Sequence, residues 1–227
     1  MELYKYSDRI CYSAYEEERD RPAIGYIKGE RYSIAVDAGH SQAHLEEFYE
    51  ALKENGLPLP AFTVITHWHW DHSFAMHCIS GLSIANRRTD AYLKQFIANR
   101  TPESDQEFLK LDPSIAKEYE DGREIIVVPA DIVYEKEMIL NTGDLSVKVF
   151  EAVSPHTDDA TLVYVPEEKV LFIGDSTSGV FPTWIADPKL TGQLIETIEA
   201  VDADHIIGGH WPIFTKEELL AELHSQL

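Results

Sequence analysis

The order of segments predicts a layered α/β fold with helices outside sheet: twice along the chain, a group of short apolar, β-branched runs leads into an amphipathic helix. Two further observations support that class. With 227 residues, 44% hydrophobic and 11% aromatic, the chain is long enough to bury one sizeable core. No repeat, low-complexity tract or Pro/Ser-rich linker divides it, so residues 1–227 read as a single domain.

Each element has a local reason. Ala23 to Lys28 and Tyr32 to Val36 place β-branched and aromatic residues on both sides of Gly29-Glu30, the pattern of a hairpin, and the second arm stops at Asp37-Ala38-Gly39. From Ala43 to Asn55, Leu45, Phe48, Tyr49 and Leu52 recur at helical spacing, with Gly56 placed to end the helix. Phe62 to Ile65 is a buried strand by its β-branched content, and it runs into Thr66-His67-Trp68-His69-Trp70-Asp71-His72. Asn86 to Gly122 is charged and helix-favouring but broken by Pro102 and Pro113, which predicts two or three helices. A connection of that length is expected to cover a site, with Phe96, Phe108 and Tyr119 forming a lid or a dimer contact. Strand-like runs follow at Ile125 to Val128, Met138 to Leu140, Leu145 to Val149, Thr161 to Val165 and Val170 to Ile173. Leu190 to Val201 has helical apolar spacing, Ile206-Ile207 is a short strand before Gly208-Gly209-His210, and Lys216 to Leu223 is a last helix.

Charge and cysteine content narrow the function. Lys and Arg number 19 against 40 Asp and Glu, a formal charge of −21 that repels phosphate backbones and anionic lipid and argues for a small-molecule partner rather than nucleic acid or membrane. The acidic run Glu16-Glu17-Glu18 reads as a solvated face. Cys11 and Cys78 form no CxxC pair, so neither a disulfide framework nor a thiolate zinc cluster is expected. The N-terminal stretch lacks a basic region followed by an apolar one, and nowhere are eighteen apolar residues consecutive, so the expected location is cytoplasmic.

His67-x-His69-x-Asp71-His72 concentrates four metal-competent side chains in one loop, where a buried strand ends and a helix begins. In an extended start, His67 and His69 point to one side with period two, while Asp71 and His72 on the following turn point to another, so one loop can feed two adjacent ions. Further ligands should come from other strand exits facing the same crevice. His156 follows one apolar run through Ser154-Pro155, Asp175 ends a second and His210 ends a third. His40, His44, His77, His205 and His224 have no motif partner and are expected at the surface or the edge of the core. Trp68, Trp70, Trp184 and Trp211 lie in or near these loops, as pocket lining or as core.

In order along the chain, Asp37, the His67 to His72 loop, His156, Asp175 and His210 resemble the metallo-β-lactamase superfamily, in the hydrolase branch typified by glyoxalase II and the quorum-quenching lactonases. The resemblance implies an αβ/βα four-layer sandwich with the site along one edge. It implies a first metal held by His67, His69 and His156, and a second held by Asp71, His72 and His210. Asp175 matches the carboxylate that bridges both, and Asp37 matches a supporting acid behind the ligands. Asp71 is the implied catalytic side chain, orienting the attacking water or passing on its proton.

All these donors are oxygen or imidazole nitrogen, a set that suits two Zn²⁺ ions and admits Fe or Mn because no soft thiolate discriminates. The expected function is a metal-dependent hydrolase of a small carboxylic ester, thioester or lactone, working through a hydroxide that bridges the two metals. The alternatives are a small-molecule phosphodiesterase, a non-hydrolytic metal sensor and a mononuclear iron oxygenase of the same fold. His69 stands where the oxygen-reducing branch carries Glu. Asp175 stands where secreted penicillin-hydrolysing enzymes carry Cys, which argues against β-lactamase activity. The chain departs from the hydrolase pattern at His156-Thr157-Asp158, where many members have Gly, and in lacking a Tyr shortly after Asp175.

Overall fold

Period-two alternation sorts strand side chains onto two faces, and the computed structural model, which describes Met1–Leu227, shows both faces of two sheets in use. The first sheet contains β1 (Leu3–Lys5), β2 (Ile10–Ser13), β3 (Gly25–Lys28), β4 (Ser33–Val36), β5 (Phe62–Val64), β6 (Leu82–Asn86) and β7 (Ile132–Tyr134), in chain order. It is antiparallel from β1 to β4 and parallel from β4 to β7. The second contains β8 (Glu137–Asn141), β9 (Ser146–Glu151), β10 (Thr161–Val165), β11 (Val170–Gly174), β12 (His205–Gly208) and β13 (Phe214–Thr215), in the order β13-β12-β11-β10-β9-β8. Only its β11–β12 pair is parallel.

Three apolar clusters separate four layers. Between the sheets, Ile34, Val36 and Val64 meet Val163, Val165, Val170 and Phe172. The alternate residues point outward: Leu162, Tyr164, Leu171 and Ile173 pack under α6 (Pro188–Ala200) and α7 (Lys216–His224) through Leu194, Ile198, Leu219 and Leu223. On the other side Tyr26, Ala35 and Ala85 pack under α1 (Gln42–Glu54) through Leu45, Phe48 and Leu52. The result is the expected αβ/βα sandwich. Helix α1 starts where the Ser41 side chain accepts from the His44 N–H and ends before Gly56, whose φ of 67° lies in the left-handed region that favours glycine.

The excursion forms α3 (Arg87–Asn99), α4 (Pro102–Phe108) and α5 (Pro113–Glu118), with Pro102 and Pro113 each in a first helical turn. It does not cover the metal ligands. Phe108, Ile115 and Tyr119 are buried in the first helical layer, and Phe96 packs against the same cluster, so these aromatics are core rather than lid or dimer contact. Ile125 to Val128 is not a strand either. Its alternation is real, since Ile125 and Val127 are buried, but the segment joins no ladder; pairing with β6 begins only after Pro129, at β7.

Every candidate ligand lies beyond the carboxyl end of a strand: the His67 loop after β5, His156 after β9, Asp175 after β11 and His210 after β12. Asp37 ends β4. A glycine makes the convergence close at Gly174, where φ is 51° and a Cβ would lie 2.4 Å from Thr66 Oγ1.

Candidate metal centre

The structure gathers the seven sequence-predicted donors into two groups, His67, His69 and His156 in one and Asp71, His72, Asp175 and His210 in the other, each with its donor atoms within 4.8 Å of one another. Trp70–Ser73 forms a short helix, α2, that carries Asp71 and His72, and the His72 ring lies 4.2 Å, centroid to centroid, from that of His67. Gly209 leaves room for the second group, since a Cβ there would stand 2.2 Å from Asp175 Oδ1.

Backbone and side-chain partners behind the rings set their orientation. His72 Nδ1 donates to Asp37 Oδ2 at 2.8 Å, and His156 Nδ1 donates to Gly179 O at 2.8 Å. His67 Nδ1 faces Thr66 Oγ1 at 3.1 Å. Asp37 is itself pinned, its Oδ1 accepting from the Thr66 N–H at 2.7 Å and its Oδ2 from the Thr66 hydroxyl at 2.9 Å. It therefore supports His72 from behind. With the outer nitrogen engaged, each Nε2 turns toward the centre.

Some inward atoms pair with each other, His210 Nε2 with Asp71 Oδ2 and His156 Nε2 with His69 Nδ1, each at 2.9 Å, but three have no partner. His67 Nε2, His72 Nε2 and Asp175 Oδ1 are buried without a hydrogen bond. His72 Nε2 lies 3.0 Å from Asp71 Oδ2 and 3.4 Å from Asp175 Oδ1 without hydrogen-bond alignment to either, and His210 Nε2 lies 2.9 Å from Asp71 Oδ2 and 3.4 Å from Asp175 Oδ2. Buried polar atoms left like this are costly unless something else satisfies them. Oxygen and imidazole donors arranged about two shared centres fit divalent metal ions.

The electrostatics of the two groups differ. Burial holds His67 well below the ordinary histidine range, helped by its histidine neighbours, and pushes His69 down to about 4, so both rings are neutral with a free lone pair. In the second group burial opposes the shifts, yet the carboxylates outweigh it. Asp71, Asp175 and Asp37 hold His72 well above its usual range, and Asp175 and Asp71 raise His210 to about 9. Reciprocally, His210 and His72 hold Asp175 down to about 2 and keep Asp71 ionised.

Without metal, protons on His72 and His210 thus occupy the place of a cation. Zinc binding to the second group should release about two protons at pH 7, whereas His67 and His69 should release almost none. Affinity at the second group should therefore rise with pH until His210 loses its proton near pH 9. Calorimetric titration in buffers of different ionisation enthalpy checks this; a heat independent of buffer would refute the protonated pair.

A cavity of about 530 Å³ opens beside the ligands and includes Glu17, Asp20, Trp70, Ser178 and Trp184 in its wall. No residue of 86–122 lines it. Trp70 and Trp184 take the pocket role foreseen for tryptophans here, while Trp68 and Trp211 line separate grooves. Glu17 and Asp20 were hidden in a charged run that reads locally as a solvated face. Asp20 Oδ2 accepts from the Trp70 indole N–H at 3.0 Å, and burial with the nearby Asp71 charge pushes its carboxyl up to about 7.

His40 and His44, expected near the surface, are fully buried. His40 Nδ1 donates to the Arg19 and Asp20 carbonyls at 2.9 and 3.1 Å, and His44 Nδ1 accepts from the His40 N–H at 3.2 Å, so this pair holds the loop that carries Asp20. Cys11 and Cys78 are free thiols, as expected.

A four-layer sandwich that gathers imidazoles and carboxylates at the carboxyl ends of its strands defines a protein with a site fit for divalent metal. The chain belongs to the metallo-beta-lactamase superfamily, whose family profile matches residues 20–215. Among solved structures it is similar to a metallo-beta-lactamase from Pontibacter korlensis, with TM-score 0.71, 18% identity, and 99% of this chain and 97% of that chain covered. It is also similar to the DIM-1 metallo-beta-lactamase, with TM-score 0.69, 21% identity and coverage of 99% and 95%. The sec-alkyl sulfatase PisA1 aligns at TM-score 0.68 and 12% identity over 99% of this chain and 40% of that one. At these identities the likeness is one of fold. No curated protein matches the chain in sequence. No helix is long and apolar enough to cross a membrane.

Proposed function

We propose that the protein is a dinuclear metal-dependent hydrolase of a small carboxylic ester, thioester or lactone, with zinc as the expected metal. The observation that carries this reading is the pair of donor groups with unpartnered inward atoms at the wall of a cavity sized for a small molecule. Divalent ions bound there supply Lewis acidity and lower the pKa of a coordinated water, so no serine or cysteine nucleophile is needed.

The chain's own residues do the rest. His67, His69 and His156 would hold the first ion; Asp71, His72 and His210 would hold the second, with Asp175 between them. Asp71, ionised and lining the cavity, accepts a hydrogen bond from the attacking water and so aims its lone pair at the carbonyl. Trp70 and Trp184 wall the substrate against solvent, and Asp37 keeps His72 in one tautomer. The surface charge and a cavity without Lys or Arg support a small-molecule partner rather than nucleic acid, and the free thiols support a reducing, cytoplasmic setting.

The test is hydrolysis by zinc-loaded protein across chromogenic carboxylic esters, thioesters, lactones, phosphodiesters and a β-lactam, with chelated protein as control. Chelator-sensitive turnover of the esters, thioesters or lactones is expected. Turnover of phosphodiesters or of the β-lactam alone, or hydrolysis that survives chelation, would overturn the reading.

A further inference from the structure

The loop from Glu16 to Arg21 sorts its charges by side. Glu16 and Arg21 exchange both backbone hydrogen bonds, which closes the loop. Its bases turn away from the cavity: Arg21 donates to Glu118 at 2.7 and 3.1 Å and to Glu47 at 3.0 Å, and Arg19 reaches Glu120 at 3.2 Å. Its acids are used unequally. Glu16 lies 3.6 Å from both Arg19 and Arg21, and Glu18 pairs with Lys117. Glu17 pairs with nothing and lines the cavity together with Asp20.

Aromatic rings complete the wall. Trp184 lies parallel to His156, with ring centroids 6.1 Å apart and planes 7° apart; Phe181 packs against it at 78° and 5.6 Å, and the indole is still 56% exposed. Trp70 stacks on His69 at 5.4 Å and donates its indole N–H to Asp20. Apart from the ligand histidines, the cavity contains no basic side chain. An anionic group placed away from the metal ligands would meet Glu17, which no cation compensates. A cationic group would meet an unpaired carboxylate and an exposed tryptophan, the pairing that recognises ammonium ions.

We propose that this cavity selects substrates bearing a cationic group, an amine or quaternary ammonium, beside the carbonyl that is attacked. The proposal rests on the hydrolase reading above and assigns Glu17 and Trp184 as specificity-determining residues. The carbonyl end faces the ligand groups, and the cationic end lies between Glu17 and Trp184.

The experiment compares zinc-loaded protein on three para-nitrophenyl esters of matched length: gamma-trimethylammoniobutyrate, its neutral isostere with tert-butyl in place of trimethylammonium, and hemiglutarate. The cationic ester should exceed the neutral one in kcat/KM by about tenfold, with hemiglutarate lowest. Glu17→Lys should invert the order of the charged pair, and Trp184→Ala should erase the preference of the cationic over the neutral ester. Binding of benzyltrimethylammonium, measured by calorimetry on the same proteins, supplies a readout free of turnover and should weaken at least about fivefold in Glu17→Lys. Ester turnover with no charge preference sinks this proposal and leaves the hydrolase reading standing. Ammonium binding lost in Glu17→Lys without any ester turnover does the reverse. Binding insensitive to both substitutions, or absent, overturns the cationic assignment outright.

Discussion

Replacing Asp175 with alanine is expected to lower turnover by at least on the order of a thousandfold and to reduce bound zinc from about two ions per chain to about one. The carboxylate lies 3.4 Å from both His72 Nε2 and His210 Nε2, and its buried Oδ1 has no hydrogen-bond partner. Removing it takes away one of only two anions in the second group, so cation affinity there should fall more than at the three histidines of the first. Elemental analysis of dialysed protein and kcat on the best ester from the panel measure both effects. Circular dichroism guards against a trivial loss of fold. A variant that keeps full zinc occupancy and full kcat would dismiss the proposed bridging role.

Glu118→Ala is expected to destabilise the fold by about 3 kcal/mol, because it strips a buried guanidinium of its buried, bidentate partner and leaves it only the more exposed Glu47 and Glu16. The Glu118 side chain is fully buried and that of Arg21 is 5% exposed. Glu118 accepts from Arg21 at 2.7 and 3.1 Å and also from the Ser41 hydroxyl, which ties α5 to the cavity loop and to the start of α1. For a chain of this size the melting temperature should drop by on the order of 10 °C. The double replacement Arg21→Met with Glu118→Leu should recover much of the loss, since the larger penalty comes from an unpaired buried charge rather than from a missing pair. Denaturant unfolding of the single and double variants decides it. A loss below about 1 kcal/mol for Glu118→Ala would place this pair with exposed ones, whose contribution is small.

How much was legible depended on whether a signal was local. The hairpin of β3 and β4, helices α1, α6 and α7, and the core strands β10 and β11 show in the sequence, because strong periodicity and turn residues specify them without reference to a partner. The strands β1, β2, β6 and β7 do not. Leu82-Ser83-Ile84-Ala85-Asn86 is short and interrupted by polar and small residues, and it becomes a strand because β5 and β7 supply its ladder on either side. Ile125 to Val128 shows the converse. It has the alternation of a strand and buries the right residues, but no neighbour offers it a ladder.

The chemistry follows the same division. The chain by itself determined the family, the layered architecture and the seven candidate donors, because each donor stands at the exit of an apolar run and a crevice at strand ends brings such exits together. Tertiary structure alone decided what surrounds them. The acids at 16–18 look equivalent in sequence, yet only Glu17 reaches the cavity, since Lys117 engages Glu18 and the loop's arginines engage Glu16. The excursion at 86–122 became core instead of a lid, and His40 and His44 became buried props for the cavity loop. The physical reason is reach. A ligand loop is written in consecutive residues, whereas Arg21 and Glu118 lie 97 positions apart, and only the packed fold shows which charges are already paired and which remain free for a substrate.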